Sequence, residues 1–405
     1  MKKFNKVLSV VVASAMVMAM AGCGNTDNGS AATGTNAATE STAADNGAAS
    51  GSVFKIGGIG PTTGGAAVYG LAVQHGAEIA VEEINAAGGI NGYQVEFKFQ
   101  DDEADAEKSV NAYNALKDWG AQIIDGSTTS GACIAVTDKT KEDNMFQITP
   151  SGSAVECVQY DNNFRVCFSD PNQGLASAQY IGENGLAEKI AVICDSSDVY
   201  SSGIYEKFVK EAENQPFEVV AAEAFTADNK TDFSVQLQKA KDAGADMVFL
   251  PIYYQESALI LTQAAAMGYA PKWFSCDGMD GILGGVDNFD VSLTEGVMLL
   301  TPFAADATDD LTQSFVTKYK EKYGETPNQF AADSYDAIYV IKAAIEKSGV
   351  TPDMSVSDIC DGMKAAMTEI TVDGLTGNGM TWTADGEANK APKAVVIENG
   401  AYKAM

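Results

Sequence analysis

Histidine is almost absent from this chain, since His75 is the single histidine among 405 residues. The sequence also lacks a Cys-x-x-Cys pair, so neither zinc nor an iron–sulfur cluster is expected as a ligated group. It has no Gly-x-Ser-x-Gly elbow and no evident cysteine–histidine pair, and its carboxylates are scattered. We therefore expect a protein that is not an enzyme and that carries no cofactor.

Basic residues are also scarce, with 26 Lys and Arg against 55 Asp and Glu, for a formal net charge of −29 at pH 7. Such an acidic surface argues against nucleic-acid binding and against peripheral binding to anionic lipid. The glycine-rich segment 58–65, GIGPTTGG, lacks the lysine of a P-loop, and Thr63 stands where a dinucleotide fingerprint has its third glycine. A nucleotide site is therefore not expected.

The first 22 residues have the features of an export signal. Three lysines precede an apolar stretch at 7–22, which is shorter than the roughly 20 residues of a membrane span. Small residues then lead into Cys23, whose thiol is placed to accept a diacylglycerol and become the new N-terminus. The sequence thus predicts a lipoprotein signal at 1–22, although an ordinary secretory signal that happens to contain a cysteine is the alternative.

A polar, low-complexity segment follows the predicted lipid site. Residues 24–52 are mainly Ala, Gly, Ser, Thr and Asn, without an aromatic or β-branched aliphatic side chain before Val53. Such a segment cannot bury enough apolar surface to offset its conformational entropy. We interpret 23–52 as a lipidated cysteine with a flexible tether, which holds a folded body away from the membrane.

The body, residues 53–405, is longer than a single comfortable core, so two domains are expected. Short apolar strands alternate along it with helices that have an apolar stripe, for example strand 54–60 before helix 69–87. This alternation predicts an α/β fold with two lobes, each a mostly parallel sheet flanked by helices. Ligands of such sheets bind at the carboxyl ends of the strands, where helices begin.

Hydroxyl side chains are concentrated at two of these strand ends. Ser127 to Gly131, STTSG, follows one predicted strand, and Ser151 to Ser153, SGS, follows the next. Free N–H groups and the helix dipole favour an anion at such positions, although plain N-capping also uses Ser and Thr. Two such turns at neighbouring strand ends, without Lys or Arg, suit one carboxylate better than a phosphate.

Six cysteines remain besides Cys23, and their state is open at this point. Cys157 and Cys167 are spaced to bridge a short loop in an oxidising compartment. Buried free thiols are the alternative, and we prefer it. The six are Cys133, Cys157, Cys167, Cys194, Cys276 and Cys360.

Several motifs, in order along nearly the whole body, resemble the Leu/Ile/Val-binding family of transporter receptors. These are GGAAVYG at 64–70, GAEIAVEEINAAGGINGY at 76–93, DDEADAEKSV at 101–110, ITPSGS at 148–153, DVYSSG at 198–203, PIYYQES at 251–257 and MTWTADGE at 380–387. The resemblance implies a type I periplasmic-binding fold. It also implies a branched-chain or related amino acid as ligand, bound between the lobes.

The resemblance assigns the carboxylate end of such a ligand to three serines. Ser130 matches a carboxylate contact after the third strand. Ser151 and Ser153 match a turn that touches both carboxylate and ammonium, where the family often has Ala and Thr.

The same resemblance assigns the ammonium end and the walls. Asp277 matches an acidic residue, often Glu in the family, that pairs with the ammonium. Tyr253 matches a tyrosine near the ammonium, with Tyr254 as the alternative if the register shifts by one, and Tyr69 and Tyr200 match aromatic residues of the cleft.

The implied architecture divides the body at three crossings, near Val166, Leu300 and Thr381. Lobe 1 is then 53–168 plus 301–379, and lobe 2 is 169–300 plus 380–405. We expect a monomer, lipid-anchored to the outer face of the cell membrane, that closes on its ligand and presents it to the permease subunits of an ABC transporter. A ligand-binding sensor for a signalling receptor and a receptor for another small carboxylate or amide are the alternatives.

Overall fold

The computed structural model describes residues 51–405. The predicted signal at 1–22, Cys23 and nearly all of the tether lie outside the described residues. No helix within 51–405 is both long and apolar enough to cross a membrane.

The first of two sheets is fully parallel and has five strands in the order β2-β1-β3-β4-β5. Its strands are β1 Phe54–Gly60, β2 Val95–Asp101, β3 Ile123–Asp125, β4 Phe146–Thr149 and β5 Asn163–Arg165.

The second sheet has seven strands in the order β12-β11-β10-β9-β8-β6-β7. It is parallel from β10 to β7, whereas β11 runs antiparallel to both β10 and β12. Its strands are β6 Lys189–Asp195, β7 Glu218–Phe225, β8 Met247–Leu250, β9 Lys272–Ser275, β10 Met298–Thr301, β11 Lys393–Glu398 and β12 Ala401–Ala404.

Ten α-helices accompany the sheets within residues 51–405. They are α1 Ala67–Ala86, α2 Ala106–Trp119, α3 Ser130–Asp143, α4 Asp170–Glu183, α5 Val199–Ala212, α6 Ser234–Asp242, α7 Tyr254–Ala266, α8 Asp310–Tyr323, α9 Gln329–Ser348 and α10 Val356–Met367.

Helices cover both faces of each sheet, which explains why the strands are apolar on both sides. On β1, Ile56 lies in the core with α1 and α9, whereas Ile59 lies on the opposite face with α2 and α3. On β6, Val192 packs with α4 and α5, and Ile193 lies in the core with α6 and α7.

Local sequence signals explain the helix ends and one tight contact. The Asp105 carboxylate accepts a hydrogen bond from the Lys108 N–H at 2.9 Å and caps α2, which ends at Gly120 with φ of 93°. At the α1–α9 contact, a Cβ on Gly76 would lie 2.0 Å from the carbonyl oxygen of Ala331. Only glycine allows this close approach of the two helices.

The predicted α/β class with two mostly parallel sheets is confirmed. Strand β5 and helix α4 were not predicted, because β5 has three residues and α4 begins with Asp170 and Pro171 rather than an apolar stripe. The C-terminal segment is a hairpin of β11 and β12, which turns at Asn399 and Gly400 with positive φ angles.

The chain passes between the two sheets three times: between β5 and β6, after β10, and before β11. The third passage lies later than the expected position near Thr381. The Trp382 indole N–H donates to the Arg165 carbonyl at 2.8 Å, and the Arg165 N–H donates to the Gly386 carbonyl at 3.0 Å. Segment 380–390 therefore lies against β5, and we place the third crossing between 390 and 393. The lobe boundaries otherwise stay a prediction.

All six cysteines of residues 51–405 are buried free thiols, with no disulfide among them.

Candidate ligand-binding site

The carboxyl ends of strands from both sheets face one small cavity. Turns after β3 and β4 contribute hydroxyl side chains, and α1 contributes Tyr69 from the same lobe. From the second sheet, Tyr200 lies at the start of α5, Tyr253 precedes α7, and Asp277 follows β9. The wall consists of Tyr69, Thr128, Thr129, Ser130, Ser151, Tyr200, Tyr253, Asp277, Gly278 and Phe330.

This wall includes six of the seven ligand contacts expected from the sequence. Ser153 lies behind it: its N–H donates to Ser130 Oγ at 3.1 Å, and its carbonyl accepts from the Asp170 N–H at 2.9 Å. Tyr253 is in the wall, whereas Tyr254 begins α7. The roles of these residues toward a ligand stay a prediction.

The cavity has a volume of about 10 Å³ in this conformation. That is room for about one water molecule, so the two sides of the cleft are in contact.

Ser130 is prepared to donate a hydrogen bond to an outside acceptor. It is the first residue of α3, where the helix dipole favours an anion. Its Oγ accepts N–H bonds from Ser153 and Ala154, both at 3.1 Å. Because both acceptor positions are occupied, the hydroxyl hydrogen remains free to donate to a further acceptor.

Ser151 is prepared for the opposite role. Its hydroxyl donates to the Thr128 carbonyl at 2.6 Å, so the hydrogen is committed within the protein. The Oγ lone pairs remain as acceptors for an N–H group of a ligand. The two serines therefore differ in what they offer, although both follow neighbouring parallel strands.

A fully buried arginine holds the turn at 152–155, which follows Ser151 and bonds Ser130 Oγ through two of its N–H groups. Arg165, the one arginine in the sequence, donates to the carbonyls of Gly152, Ser153, Ala154 and Val155. Its Nε lies 3.3 Å from Glu387 Oε2. With these carbonyls turned to Arg165, the turn is fixed from behind by charge-assisted hydrogen bonds. The sequence analysis did not predict this role of Arg165. The available signal was a single arginine in a chain that otherwise uses lysine.

Asp277 provides the acidic side of the cavity. It is 5% exposed, and its Oδ1 accepts a hydrogen bond from the Tyr200 hydroxyl at 2.7 Å. Burial raises its pKa to about 7, against the opposing effect of the Tyr200 bond. The wall contains no basic side chain, so a cationic group beside Asp277 would neutralise this buried carboxylate.

Two further carboxyls lie on the same side. Burial raises the pKa of Asp198 to about 6 and raises that of Asp170 well above its usual value. The charge of Asp277 also contributes to the raised pKa of Asp170, since like charges in a buried region repel. The second lobe thus presents an acidic surface to the cleft, opposite the hydroxyl turns of the first lobe.

Aromatic rings close the remaining wall. Tyr200 and Tyr253 are stacked with centroids 5.0 Å apart, and Tyr69 meets Tyr253 edge to face at 5.5 Å. Phe330, at the start of α9, packs against Tyr69 at 4.4 Å. These rings exclude water, which strengthens hydrogen bonds to charged groups inside the cavity.

Four residues of the wall were not predicted as contacts: Thr128, Thr129, Gly278 and Phe330. The two threonines belong to the STTSG turn, which sequence analysis singled out without separating its members. Phe330 comes from a helix far along the chain, and no spacing pattern indicates its position.

No group of three or more His, Cys, Asp or Glu side chains within residues 51–405 is arranged to hold a metal ion. The arrangement of donors on one side and a carboxylate on the other suits a small molecule with one anionic and one cationic group.

Known proteins are similar to most of this chain. The model of a family described as periplasmic binding protein matches residues 53–401. A Leu/Ile/Val-binding protein homolog of Brucella melitensis is 31% identical over 300 residues, which cover 74% of this chain and 80% of that protein. A leucine-, isoleucine-, valine-, threonine- and alanine-binding protein of Pseudomonas aeruginosa is 30% identical over 303 residues, with 73% and 79% coverage.

A solved structure shows the same architecture. It is the branched-chain amino acid transporter substrate-binding protein of Streptococcus pneumoniae in complex with isoleucine. The TM-score is 0.78 at 29% identity, and the match covers 87% of this chain and 98% of that one.

Proposed function

This chain belongs to the periplasmic binding protein family, and from this premise we propose that it captures an α-amino acid between its lobes for an ABC transporter. The resemblance inferred from the sequence motifs is confirmed by the family match and by the relatives. Those relatives are named for leucine, isoleucine and valine, and the Pseudomonas aeruginosa protein also for threonine and alanine. We take a branched-chain or related amino acid as the ligand class.

One observation carries the proposal: the cavity has hydrogen-bond donors in one lobe and a buried carboxylate in the other. The Ser130 hydroxyl and the start of α3 are suited to the ligand carboxylate. Asp277 is suited to the ammonium, with the Ser151 Oγ as a second acceptor. Charge-assisted hydrogen bonds of this kind are the stronger ones in a dry site.

Capture requires the cleft to open and close. Since the cavity holds about one water, the closed form cannot admit an amino acid directly. A ligand that bridges Ser130 and Asp277 contacts both lobes, and both sets of contacts exist together only when the lobes are closed. Binding therefore shifts the population toward the closed form by its differential affinity. A transporter can then distinguish loaded from empty protein by shape.

We place the protein outside the cytoplasm, as its family implies, and as a monomer held to the outer face of the membrane. The lipid anchor rests on the sequence alone: an apolar signal ends in Ala-Gly before Cys23, and a polar tether follows. The partner would be the permease subunits of the transporter.

A thermal-shift screen of the purified body, residues 51–405, tests the proposal. The twenty amino acids and the matching acids that lack the amine are added in turn, because a ligand that binds only the folded form raises its stability. We expect at least one amino acid to raise the melting temperature and its deaminated partner to have little effect. The proposal fails if the whole amino-acid set leaves the melting temperature unchanged.

A further inference from the structure

The hydroxyl of Thr129 has no hydrogen-bond partner among residues 51–405, although it is buried in the cavity wall. Thr129 is 6% exposed and is the residue just before α3, where a side chain often caps the helix. Here it makes no capping bond. Buried hydroxyls are normally paired, so an unpaired one in a binding cavity requires an explanation.

The other hydroxyl side chains of the STTSG turn are all paired. The hydroxyl of Ser127 donates to Asp102, and that of Thr128 donates to the Ile59 carbonyl at 3.2 Å. Ser130 Oγ accepts two backbone N–H bonds. Thr129 thus differs from three adjacent hydroxyl residues in having its capacity unused within the described part of the protein.

Three other polar residues of the wall already have assignments in the proposed function. Ser130 serves the ligand carboxylate, and Asp277, with Ser151, serves the ammonium. Thr129 has no such assignment and shares the wall with Tyr69, Tyr200, Tyr253 and Phe330, so its hydroxyl is available to a ligand side chain. An aliphatic side chain would leave this hydroxyl unpaired, whereas a hydroxyl-bearing side chain would pair with it.

We propose that Thr129 is a specificity-determining residue, which hydrogen-bonds the side-chain hydroxyl of the ligand and makes the site prefer threonine to valine. The inference rests on the proposed function, since it deepens the ligand class of that same cavity. Threonine and valine have nearly the same shape and differ in one hydroxyl. A site that is built to bond a hydroxyl discriminates against an analogue without it, because its own polar group is then left unpaired.

Calorimetric titration of threonine and valine into wild type and Thr129→Val tests this inference. The replacement of a hydroxyl by a methyl is made once in the ligand and once in the protein. We expect wild type to bind threonine about 5- to 100-fold more tightly than valine. Thr129→Val should abolish this preference or reverse it. Thr129→Ser retains the hydroxyl and should retain the preference, which also guards against a folding defect in the valine variant.

Thr128→Val is the matched control. It removes the adjacent hydroxyl, which already bonds the Ile59 carbonyl, and should change the two affinities by the same factor. The inference is overturned if wild type binds valine as tightly as threonine, or if the preference survives in Thr129→Val. It is also overturned if Thr129→Val weakens both ligands equally, because the hydroxyl would then serve the common backbone end.

Two outcomes separate this inference from the proposed function. If neither threonine nor valine binds but another amino acid does, the preference is wrong and amino-acid capture stands. If the whole amino-acid set fails to bind, the proposed function itself fails.

Discussion

The hydroxyl of Tyr69 donates a hydrogen bond to the backbone carbonyl of Gly278. Tyr69 lies on α1, which packs on the first sheet, and Gly278 follows β9 of the second sheet, so the bond crosses the cleft. The same hydroxyl accepts the Tyr254 N–H at 3.2 Å. Gln329 adds a second bridge, since its amide donates to the Asp277 carbonyl at 3.0 Å. The closed form is therefore held by direct contacts around the binding cavity.

Tyr69→Phe should weaken closure while keeping the ring in the wall. It leaves the Gly278 carbonyl and the Tyr254 N–H unpaired in the closed form, which costs about 1–3 kcal/mol. We expect an affinity loss of about 5- to 100-fold for the best amino acid in calorimetry. Small-angle scattering should show a larger radius of gyration for the variant at the same ligand concentration.

Tyr160→Phe serves as the control, because it removes a tyrosine hydroxyl that bonds Asp138 at the exposed surface. It should behave as wild type in both measurements. An unchanged affinity and an unchanged scattering profile in Tyr69→Phe would show that the cross-cleft bond does not contribute to closure.

Ligand binding should depend on pH through Asp277. Burial raises the pKa of this carboxyl to about 7 in the closed cleft without a ligand, so below that pH it is mostly neutral there. An ammonium requires the ionised form, and binding therefore becomes coupled to loss of a proton. We expect affinity to level off above pH 7 and to fall by up to about tenfold per pH unit below it.

Calorimetry between pH 5 and 8, in buffers of different ionisation enthalpy, measures both the affinity and the released proton. Asp277→Asn should bind more weakly throughout and lose the pH dependence. A wild-type affinity that is flat from pH 5 to 8 would be incompatible with Asp277 as the ammonium partner.

Arg165→Met should destabilise the body and weaken binding together. The arginine is fully buried and holds four carbonyls of the 152–155 turn, and its loss would leave them, and Glu387, without their partner. Removing one member of a buried charge network costs about 3–5 kcal/mol. Urea unfolding of the ligand-free protein measures this cost, and titration measures the affinity.

Lys117→Met is the control for loss of a positive charge. Lys117 pairs with Asp143 at the surface, and such pairs contribute about 0–1 kcal/mol. Arg165→Lys should fall between wild type and Arg165→Met, because it keeps the charge without the forked geometry. A loss below about 1 kcal/mol in Arg165→Met, with unchanged affinity, would contradict the role given to this residue.

Cys23→Ala should release the protein from the membrane, because it removes the thiol that would carry the diacylglycerol. Immunoblots of membrane and medium fractions measure the distribution. Cys360→Ala, at a buried thiol of the body, should leave the protein in the membrane fraction. Retention of Cys23→Ala in that fraction would exclude the lipid anchor at this residue.

Much of the fold was predictable because short apolar strands and amphipathic helices alternate with clear boundaries. Positions directly after predicted strands could therefore be placed at the cleft, and Ser130, Ser151 and Asp277 do lie together there. The family resemblance supplied Tyr69 and Tyr200, which no strand end would have singled out among the tyrosines of the chain.

The features that sequence missed depend on contacts between distant segments. Phe330 reaches the cavity through the packing of α9 on α1, and Trp382 holds segment 380–390 against Arg165. Neither contact leaves a periodic pattern. The unpaired hydroxyl of Thr129 is visible only against the paired state of its neighbours, since the four Ser and Thr residues of STTSG are equivalent as hydrogen-bonding types.

The most direct test of amino-acid capture pairs one substitution with two ligands. Asp277→Asn keeps the size of the side chain and removes its charge, and the ligands are the best amino acid from the screen and the same molecule without its amine. Truncating one member of a buried charge pair costs about 2–5 kcal/mol. Calorimetric titration should therefore show the amino acid binding roughly 30-fold to several thousand-fold more weakly to Asp277→Asn. The deaminated acid should bind the variant as well as wild type, or better. If Asp277→Asn binds the amino acid within about a factor of two of wild type, the carboxylate does not hold the ammonium and the account of this site is contradicted.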